Sequence, residues 1–221
     1  MFTGIIEAIG RIDRIESRGK DLTLTINSAG LDLSDVRLGD SIAVNGVCLT
    51  VIRLGSQGFA ADVSAESLVH TNIAHYQSGT MVNLEKALTL ATRLGGHLVS
   101  GHVDGIGRVL KRQQDGRSVR FDIACSSELN RYIANKGSIT VDGVSLTVTG
   151  LLDSGFSLNI VPHTVAETTI ESFIAGRSVH VEVDLMARYA ERLLEVKSYP
   201  QEGGSISGMD KAFLAQNGFL R

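Results

Sequence analysis

The sequence predicts an all-β protein that contains two copies of one small barrel and ends in an α-helix. Three observations support this fold class. The chain repeats itself at a constant offset, each copy carries a strong β-hairpin signal, and an amphipathic stretch near the C-terminus has no counterpart in the repeat. Helical patterns are scarce inside the two copies, so strands are expected to form the fold.

The repeat places residue n on residue n + 97 without any insertion. Gly4 falls on Gly101, and Glu85 falls on Glu182. Pairing the first 97 residues with the next 97 gives 23 identities, whereas a composition of this kind gives about 7 by chance. We therefore divide the chain into an N-terminal barrel, a C-terminal barrel and a helix with a tail, at residues 1–97, 98–185 and 186–221.

Turns and β-rich runs predict the strands of each copy. Asn45-Gly46 and Asp142-Gly143 supply the two positive φ values of a type I′ hairpin turn, and apolar, β-branched runs flank both pairs. Gly, Ser and Asp clusters separate the other runs at the spacing of a small barrel. We expect hairpin strands at 41–44, 47–51, 139–141 and 144–148, further strands at 22–26, 82–84, 119–123, 156–161 and 179–183, and short helical pieces at 65–73, 128–135 and 162–170.

The C-terminal stretch has a different pattern. Apolar residues recur at i, i+3 and i+4 spacing over 185–197, which predicts an amphipathic helix, and Pro200 and Gly203-Gly204 are expected to end it. Its apolar stripe can cover a barrel end or pack on copies of itself in an oligomer. The sequence leaves both roles open.

Composition excludes several classes of partner. A net charge of −3, 5% aromatic residues and no Trp argue against a surface for nucleic acid. The N-terminus lacks a basic leader, and no run approaches the ~20 apolar residues of a membrane span, so we expect no membrane partner and a cytoplasmic location. Cys48 and Cys125 stand alone, outside any C-x-x-C pattern, which predicts neither a disulfide framework nor a zinc site.

The hairpins offer polar groups on one face. Because side chains alternate along a strand, Cys48 and Thr50 face away from their apolar neighbours, and Ser145 and Thr147 repeat this arrangement. These faces can border a ligand groove. An ordinary half-exposed hairpin explains the same alternation.

The stretch between the two copies contains groups that can move protons. His97 and His102 lie within six residues of sequence, and glycines flank both. Their spacing differs from the helical spacing of a zinc motif, and no third ligand is near in the sequence. Glycines permit close approach of a flat ligand, yet they serve tight turns equally well. By itself, the stretch favours a structural linker.

Four motifs in this order resemble the riboflavin synthase family: MFTGI at 1–5, NGVCLTV at 45–51, GGHLVSGHVDG at 95–105 and DGVSLTV at 142–148. The resemblance covers residues 1–195, and residues 212–219 are similar to tails of bacterial members. It implies a homotrimer of chains with two six-stranded Greek-key barrels, in which the C-terminal helix contributes to trimer contacts. Each site would lie between the N-terminal barrel of one chain and the C-terminal barrel of its neighbour.

The resemblance also implies the reaction. Two molecules of 6,7-dimethyl-8-ribityllumazine would exchange a four-carbon unit, giving riboflavin and 5-amino-6-ribitylaminouracil, with no cofactor or metal. Whether lumazine synthase associates with the chain stays open. The implied ligand contacts of the N-terminal barrel are Gly4, Ile5, Ile6, Cys48, Leu49, Thr50, Asp62, Val63, Ser64, Ala65, Glu66 and Ser67. Those of the C-terminal barrel are Gly101, His102, Val103, Lys136, Ser145, Leu146, Thr147, Asn159, Ile160, Val161, Pro162, His163 and Thr164. Phe2, Thr3 and Asp142 complete the expected substrate-binding residues.

The chemistry calls for a base and for hydrogen-bond donors, because loss of a methyl proton from the lumazine creates a delocalised anion. His102 is the first candidate for proton transfer, and Cys48 or a positioned water can act as nucleophile. The remaining candidates are the supporting groups Ser41, Thr50, Thr147 and Thr3, together with His97 and Ser145.

The repeat adds one hypothesis. Cys48 is paired with Ser145, and Ile5 with His102, so two pockets of similar shape would differ in their reactive groups and thereby assign donor and acceptor roles to identical substrates. Two other functions compete: a non-catalytic, antenna-type lumazine-binding protein, against which Cys48, His97 and His102 argue, and a duplicated barrel used for protein interaction.

Overall fold

A computed structural model describes residues 1–28 and 30–198. The strands are β1 Ala8–Arg18, β2 Asp21–Asn27, β3 Ser41–Val44, β4 Val47–Gly55, β5 Gly58–Val63, β6 Met81–Lys86, β7 Gly105–Asp115, β8 Ser118–Ala124, β9 Ser138–Val141, β10 Val144–Leu152, β11 Gly155–Ile160 and β12 Ser178–Val183. The helices are α1 Ala65–His70, α2 Ser127–Asn130, α3 Pro162–Ala166 and α4 Leu185–Ser198, with 3₁₀ turns at Ile73–His75 and Thr169–Ser172.

The strands close into two antiparallel barrels of six strands each. The first follows the order β1-β2-β5-β4-β3-β6, and the second repeats it with β7-β8-β11-β10-β9-β12. Every strand of the second barrel begins and ends 97 residues after its counterpart. The predicted all-β fold of two tandem six-stranded barrels with a C-terminal helix is confirmed.

The hairpin turns have the predicted geometry. Asn45 and Gly46 have φ values of 46° and 81°, and Asp142 and Gly143 have values of 44° and 82°. Both turns therefore fit the type I′ class, whose twist matches that of the flanking strands. The apolar positions of β4 are buried in the core of the first barrel, as the alternation predicts.

Three strands of the structure were not expected from the sequence. The long strands β1 and β7 were not predicted, because a β-bulge interrupts the period of two, between Ile12 and Arg14 in one and between Val109 and Lys111 in the other. Strand β5 was also missed, since its centre contains alanines rather than β-branched residues.

The helix expected at 185–197 is confirmed as α4. The expected stop at Pro200 and Gly203-Gly204, and the tail similarity at 212–219, lie outside the described residues. The chain divides into a compact unit, Met1–Arg188, which holds both barrels, and a second unit that begins at Tyr189. Among the described residues, no helix is long and apolar enough to cross a membrane.

The two barrels meet around an approximate twofold axis. Phe2 and Val99 are equivalent positions of the repeat, and each donates its backbone N–H to the other's carbonyl, at N···O distances of 2.8 and 3.1 Å. The hairpin turns also face each other, since a Cβ on Gly46 would lie 2.8 Å from the nitrogen of Gly143. Each barrel thus presents the same elements to the other.

Candidate active site

Two buried carboxylates hold the segments that precede the barrels. Glu85 of β6 accepts from the backbone N–H and the hydroxyl of Thr3, both at 2.6 Å, and from the N–H of Gly4 at 2.9 Å. The repeat gives Glu182 of β12 the same three bonds to Ser100 and Gly101, at 2.7, 2.7 and 3.1 Å. Burial raises the pKa of both carboxyls, while these donors lower it.

The segments then cross to the opposite barrel. The Ser145 N–H of the second barrel donates to the Gly4 carbonyl at 2.7 Å, and the Cys48 N–H of the first barrel donates to the Gly101 carbonyl at 2.8 Å. A Cβ on Gly4 would lie 2.6 Å from the Cβ of Ser145, and one on Gly101 would lie 2.7 Å from the Cβ of Cys48. Only glycine allows these approaches.

The apolar residues after each glycine confirm the crossing. Ile6 packs against the core of the second barrel, and Val103 packs against the core of the first. The sequence grouped residues 4–6 with the N-terminal barrel and residues 101–103 with the C-terminal barrel, whereas the structure packs each segment on the opposite barrel; which ligand each segment contacts stays a prediction. Because the two segments are equivalent in the repeat, the sequence is compatible with each segment packing on its own barrel or on the opposite one. Only the contacts in the structure distinguish the two arrangements.

The first barrel consequently combines Cys48 with His102. His102 is exposed, and its backbone N–H donates to the Ser100 hydroxyl at 3.2 Å. The three hydrogen bonds from Ser100 and Gly101 to Glu182, which we call the Glu182 clamp, therefore hold the backbone that leads to His102. Thr50 is exposed on β4 beside Cys48, and Ser41 is its cross-strand partner on β3. The Cys48 thiol and the hydroxyls of Thr50 and Ser41 thus belong to one barrel face, and the backbone before His102 is bonded to that barrel at Cys48.

The segment at 62–67 borders the same barrel. The Thr23 hydroxyl donates to Asp62 at 2.6 Å, and the Ala65 N–H donates to Asp21 at 2.8 Å. Ser64 caps α1 by accepting from the Ser67 N–H at 3.2 Å. Asp62, Ser64 and Ser67 therefore have defined positions, whereas the side chain of Val63 lies in the barrel core.

The second barrel has a different polar set. The Ser145 hydroxyl lies 2.7 Å from Nδ1 of His97, and the hydroxyl of Thr140 lies 3.2 Å from Nε2 of the same ring. His97 is 9% exposed, and burial lowers its pKa. Lys136 precedes β9 with a φ of 67°, and Thr147 is exposed on β10.

The segment at 159–164 matches 62–67 in position. The Asn159 amide donates to Asp115 at 3.2 Å, and Pro162 occupies the first turn of α3, where its missing N–H has no cost. Val161 and His163 are exposed, while Ile160 is buried.

Several predicted contacts lie apart from these faces. Phe2 is fully buried between the barrels, and Thr3 is 3% exposed in the Glu85 clamp. Asp142 is 2% exposed, and its carboxylate accepts from the His180 N–H of the same barrel at 2.7 Å, while its backbone carbonyl accepts from the Asn83 amide of the first barrel at 2.8 Å. Burial raises the pKa of Asp142.

A cavity of about 450 Å³ lies beside the N-terminal segment. Its lining includes Thr3, Ile5 and Glu85, together with linker residues Arg93 and Gly95. This volume falls within the range of small-molecule sites. Within the described residues, no group of three or more His, Cys, Asp or Glu is arranged to hold a metal ion.

Sequence reasoning missed three residues of the site. Glu85 and Glu182 recur in the repeat, and that recurrence of a buried acid was the available signal. Thr140 carries no such signal, because it stands in a β-rich run and reads as an ordinary strand residue.

Comparison with known proteins agrees with this geometry. The model of the lumazine binding domain matches twice, at residues 3–87 and 100–184. Proteins named riboflavin synthase are 50% identical in Photobacterium phosphoreum, over 220 residues and 100% of both chains, and 40% identical in Bacillus subtilis, over 219 residues with 99% and 100% coverage. The chain belongs to the riboflavin synthase family.

The fold of the family is also found in solved structures. LumP complexed with riboflavin superposes with a TM-score of 0.76 at 24% identity, covering 83% of this chain and 99% of that one. LumP complexed with 6,7-dimethyl-8-(1'-D-ribityl) lumazine gives a TM-score of 0.75 at 23% identity, with the same coverage. At this identity the likeness concerns the fold alone, whereas the riboflavin synthase relatives share the full length.

Proposed function

We propose that this chain is a riboflavin synthase, a transferase that dismutates two molecules of 6,7-dimethyl-8-ribityllumazine. A four-carbon unit passes from one molecule to the other, giving riboflavin and 5-amino-6-ribitylaminouracil. The observation that carries the proposal is identity of 40–50% with riboflavin synthases over the whole chain. Two lumazine-binding repeats supply one place for each substrate.

The first barrel would hold one lumazine against Cys48, Thr50 and the 62–67 segment, with His102 contributed by the crossing segment. His102 is our candidate for removing the methyl proton, since it is exposed and held on a clamped backbone. Cys48 or a water beside it would add to the ring carbon of a substrate. Ser41 and Thr50 would support the ligand through hydrogen bonds.

The second barrel would hold the other lumazine against Ser145, Leu146, Thr147 and the 159–164 segment, with residues 4–6 contributed by the crossing. Lys136 and His97 complete this set. We keep the hypothesis that two unlike pockets assign donor and acceptor roles to identical substrates, but the residues assigned to each pocket change. Cys48 would lie in one pocket with His102, and Ser145 would lie in the other with Ile5, because the Cys48 N–H bonds to Gly101 and the Ser145 N–H bonds to Gly4.

The chain would function as a cytoplasmic homotrimer, in which the N-terminal barrel of one protomer faces the C-terminal barrel of its neighbour. Each barrel keeps its polar hairpin face at the surface, where Thr50 and Thr147 are exposed. A facing pair of such surfaces would bring two flat ligands together. Sedimentation of the active protein tests this assembly, and a fully active monomer would contradict it.

A turnover assay tests the proposed function. Purified protein is mixed with the lumazine, and riboflavin is separated and quantified. We expect riboflavin without any added cofactor, whereas an antenna-type protein would give bound, fluorescent lumazine and no product. His102→Gln should slow turnover by roughly 10²-fold or more, and His75→Gln, at an exposed histidine outside the site, serves as the matched control.

A further inference from the structure

We propose that Thr140 is a positioning residue that acts through His97 on the Ser145 hydroxyl, and that this chain of hydrogen bonds gives the second barrel a switchable donor which the first barrel lacks. The inference rests on the proposed function and deepens it. Thr140 itself is 1% exposed and would touch no substrate.

The geometry places the three groups in a row. Nδ1 of His97 lies 2.7 Å from Oγ of Ser145, and Nε2 lies 3.2 Å from Oγ1 of Thr140. Thr140 and Ser145 are cross-strand partners on β9 and β10, so the sheet fixes their separation. A Cβ on Gly96 would lie 2.8 Å from the Ser145 hydroxyl, and this glycine leaves room for the ring beside it.

The other half of the repeat is apolar at the same place. Thr140 corresponds to Ala43, and Ser145 corresponds to Cys48. Ala43 packs with Phe2 and Val99 in a small apolar cluster, against which Cys48 also packs. The polar row is therefore an addition to one barrel rather than a requirement of the fold.

The row can exist with two directions of hydrogen bonding. In one tautomer Thr140 donates to Nε2, Nδ1–H donates to Ser145, and the Ser145 proton is free to donate to a ligand. In the other tautomer Nε2–H donates to Thr140, Ser145 donates to Nδ1, and the serine oxygen is free to accept. Burial lowers the pKa of His97 and so favours the neutral ring, which both states require.

Without Thr140, both directions of the row lose their hydrogen bond at Nε2. Nε2 of a ring that is 9% exposed would have no partner, and an unpaired buried polar group is unfavourable. The His97 ring would then either rotate away from position 140 or remain in a single tautomer. Ser145 would lose the ability to change from donor to acceptor while the substrate ring loses and gains protons.

Paired substitutions test this role. Thr140→Val removes the hydroxyl at nearly constant shape, Thr140→Ala installs the side chain found at the equivalent position 43, and Thr140→Ser keeps the hydroxyl. We expect kcat for riboflavin formation to fall about tenfold in the first two, as for loss of one hydrogen bond in the transition state. KM should change less than twofold, and the serine variant should recover kcat to within about twofold.

Two further measurements separate positioning from a structural effect. In a His97→Gln background, Thr140→Val should reduce kcat no further, because the two residues act in one row. The ¹⁵N resonances of the His97 ring should shift in the Val variant and return in the Ser variant. If the Val and Ala variants keep the parental kcat, or the Ser variant falls as far as they do, the inference is overturned alone. If the parental chain forms no riboflavin, the proposed function fails and the inference fails with it.

Discussion

The crossing of the two segments predicts a specific loss of stability when Gly101 is replaced by alanine. Gly101 has a φ of 81°, and a Cβ there would lie 2.7 Å from the Cβ of Cys48. A non-glycine residue in this left-handed region of backbone conformation lowers stability by about 1–2 kcal/mol, and the forced overpacking against Cys48 lowers it by about 1–3 kcal/mol more. We therefore expect the free energy of unfolding to fall by about 2–5 kcal/mol.

Gly116→Ala is the matched control. Gly116 also has a positive φ, of 58°, but a Cβ there meets nothing within 4 Å. Only the backbone contribution of about 1–2 kcal/mol should appear. Urea denaturation at constant m-value measures both variants, and the difference between them isolates the packing of the segment on β4. Equal losses in the two variants would refute the proposed contact between Gly101 and Cys48.

Three further predictions follow from the same contacts. Cys48→Ser should lower kcat at least tenfold with little change in lumazine affinity. The control variant Cys125→Ser, at a similarly half-buried thiol, should change neither quantity. If Cys48→Ser keeps the parental kcat, Cys48 takes no part in the chemistry. Glu182→Gln should loosen the backbone before His102, lowering stability by about 1–3 kcal/mol and kcat together, and a variant with unchanged kcat would contradict the clamp. Because burial raises the pKa of Glu85 and Glu182 above the ordinary value of 4.5, the native protein binds more protons than the unfolded chain, so these groups make stability fall as pH rises above about 4.5. A double Gln variant should show a flatter dependence between pH 4.5 and 7 in denaturant titrations, and an unchanged slope would show that other groups set it.

Local signals predicted much of the fold. Asn45-Gly46 and Asp142-Gly143 define their own turns through backbone conformation, and the constant offset located the second barrel from the first. The bulged strands escaped prediction because an inserted residue breaks the alternation on which strand assignment depends. Turns, which a few neighbouring residues determine, could be predicted from the sequence. Bulges, which arise when one strand pairs with another, could not.

The candidate site shows the same division. Cys48, Ser145 and His97 were found by residue type and motif, but their grouping depends on which barrel each crossing segment contacts. Gly4 and Gly101 are the same residue type at equivalent positions of the repeat, so residue type alone does not show which of them lies beside Ser145 and which beside Cys48. Contacts across the twofold seam decide this, and they join residues that lie 53 positions apart for Cys48 and Gly101 and 141 positions apart for Gly4 and Ser145.

The stoichiometry of the reaction tests the central claim most directly. The purified full-length protein is incubated with 6,7-dimethyl-8-ribityllumazine in the presence of a metal chelator, and substrate and both products are quantified over time. Two lumazine molecules consumed for each riboflavin and each 5-amino-6-ribitylaminouracil formed is the predicted result. Lumazine that is bound but never consumed, or riboflavin formed in a one-to-one ratio, would contradict the account of two unlike barrels acting on identical substrates.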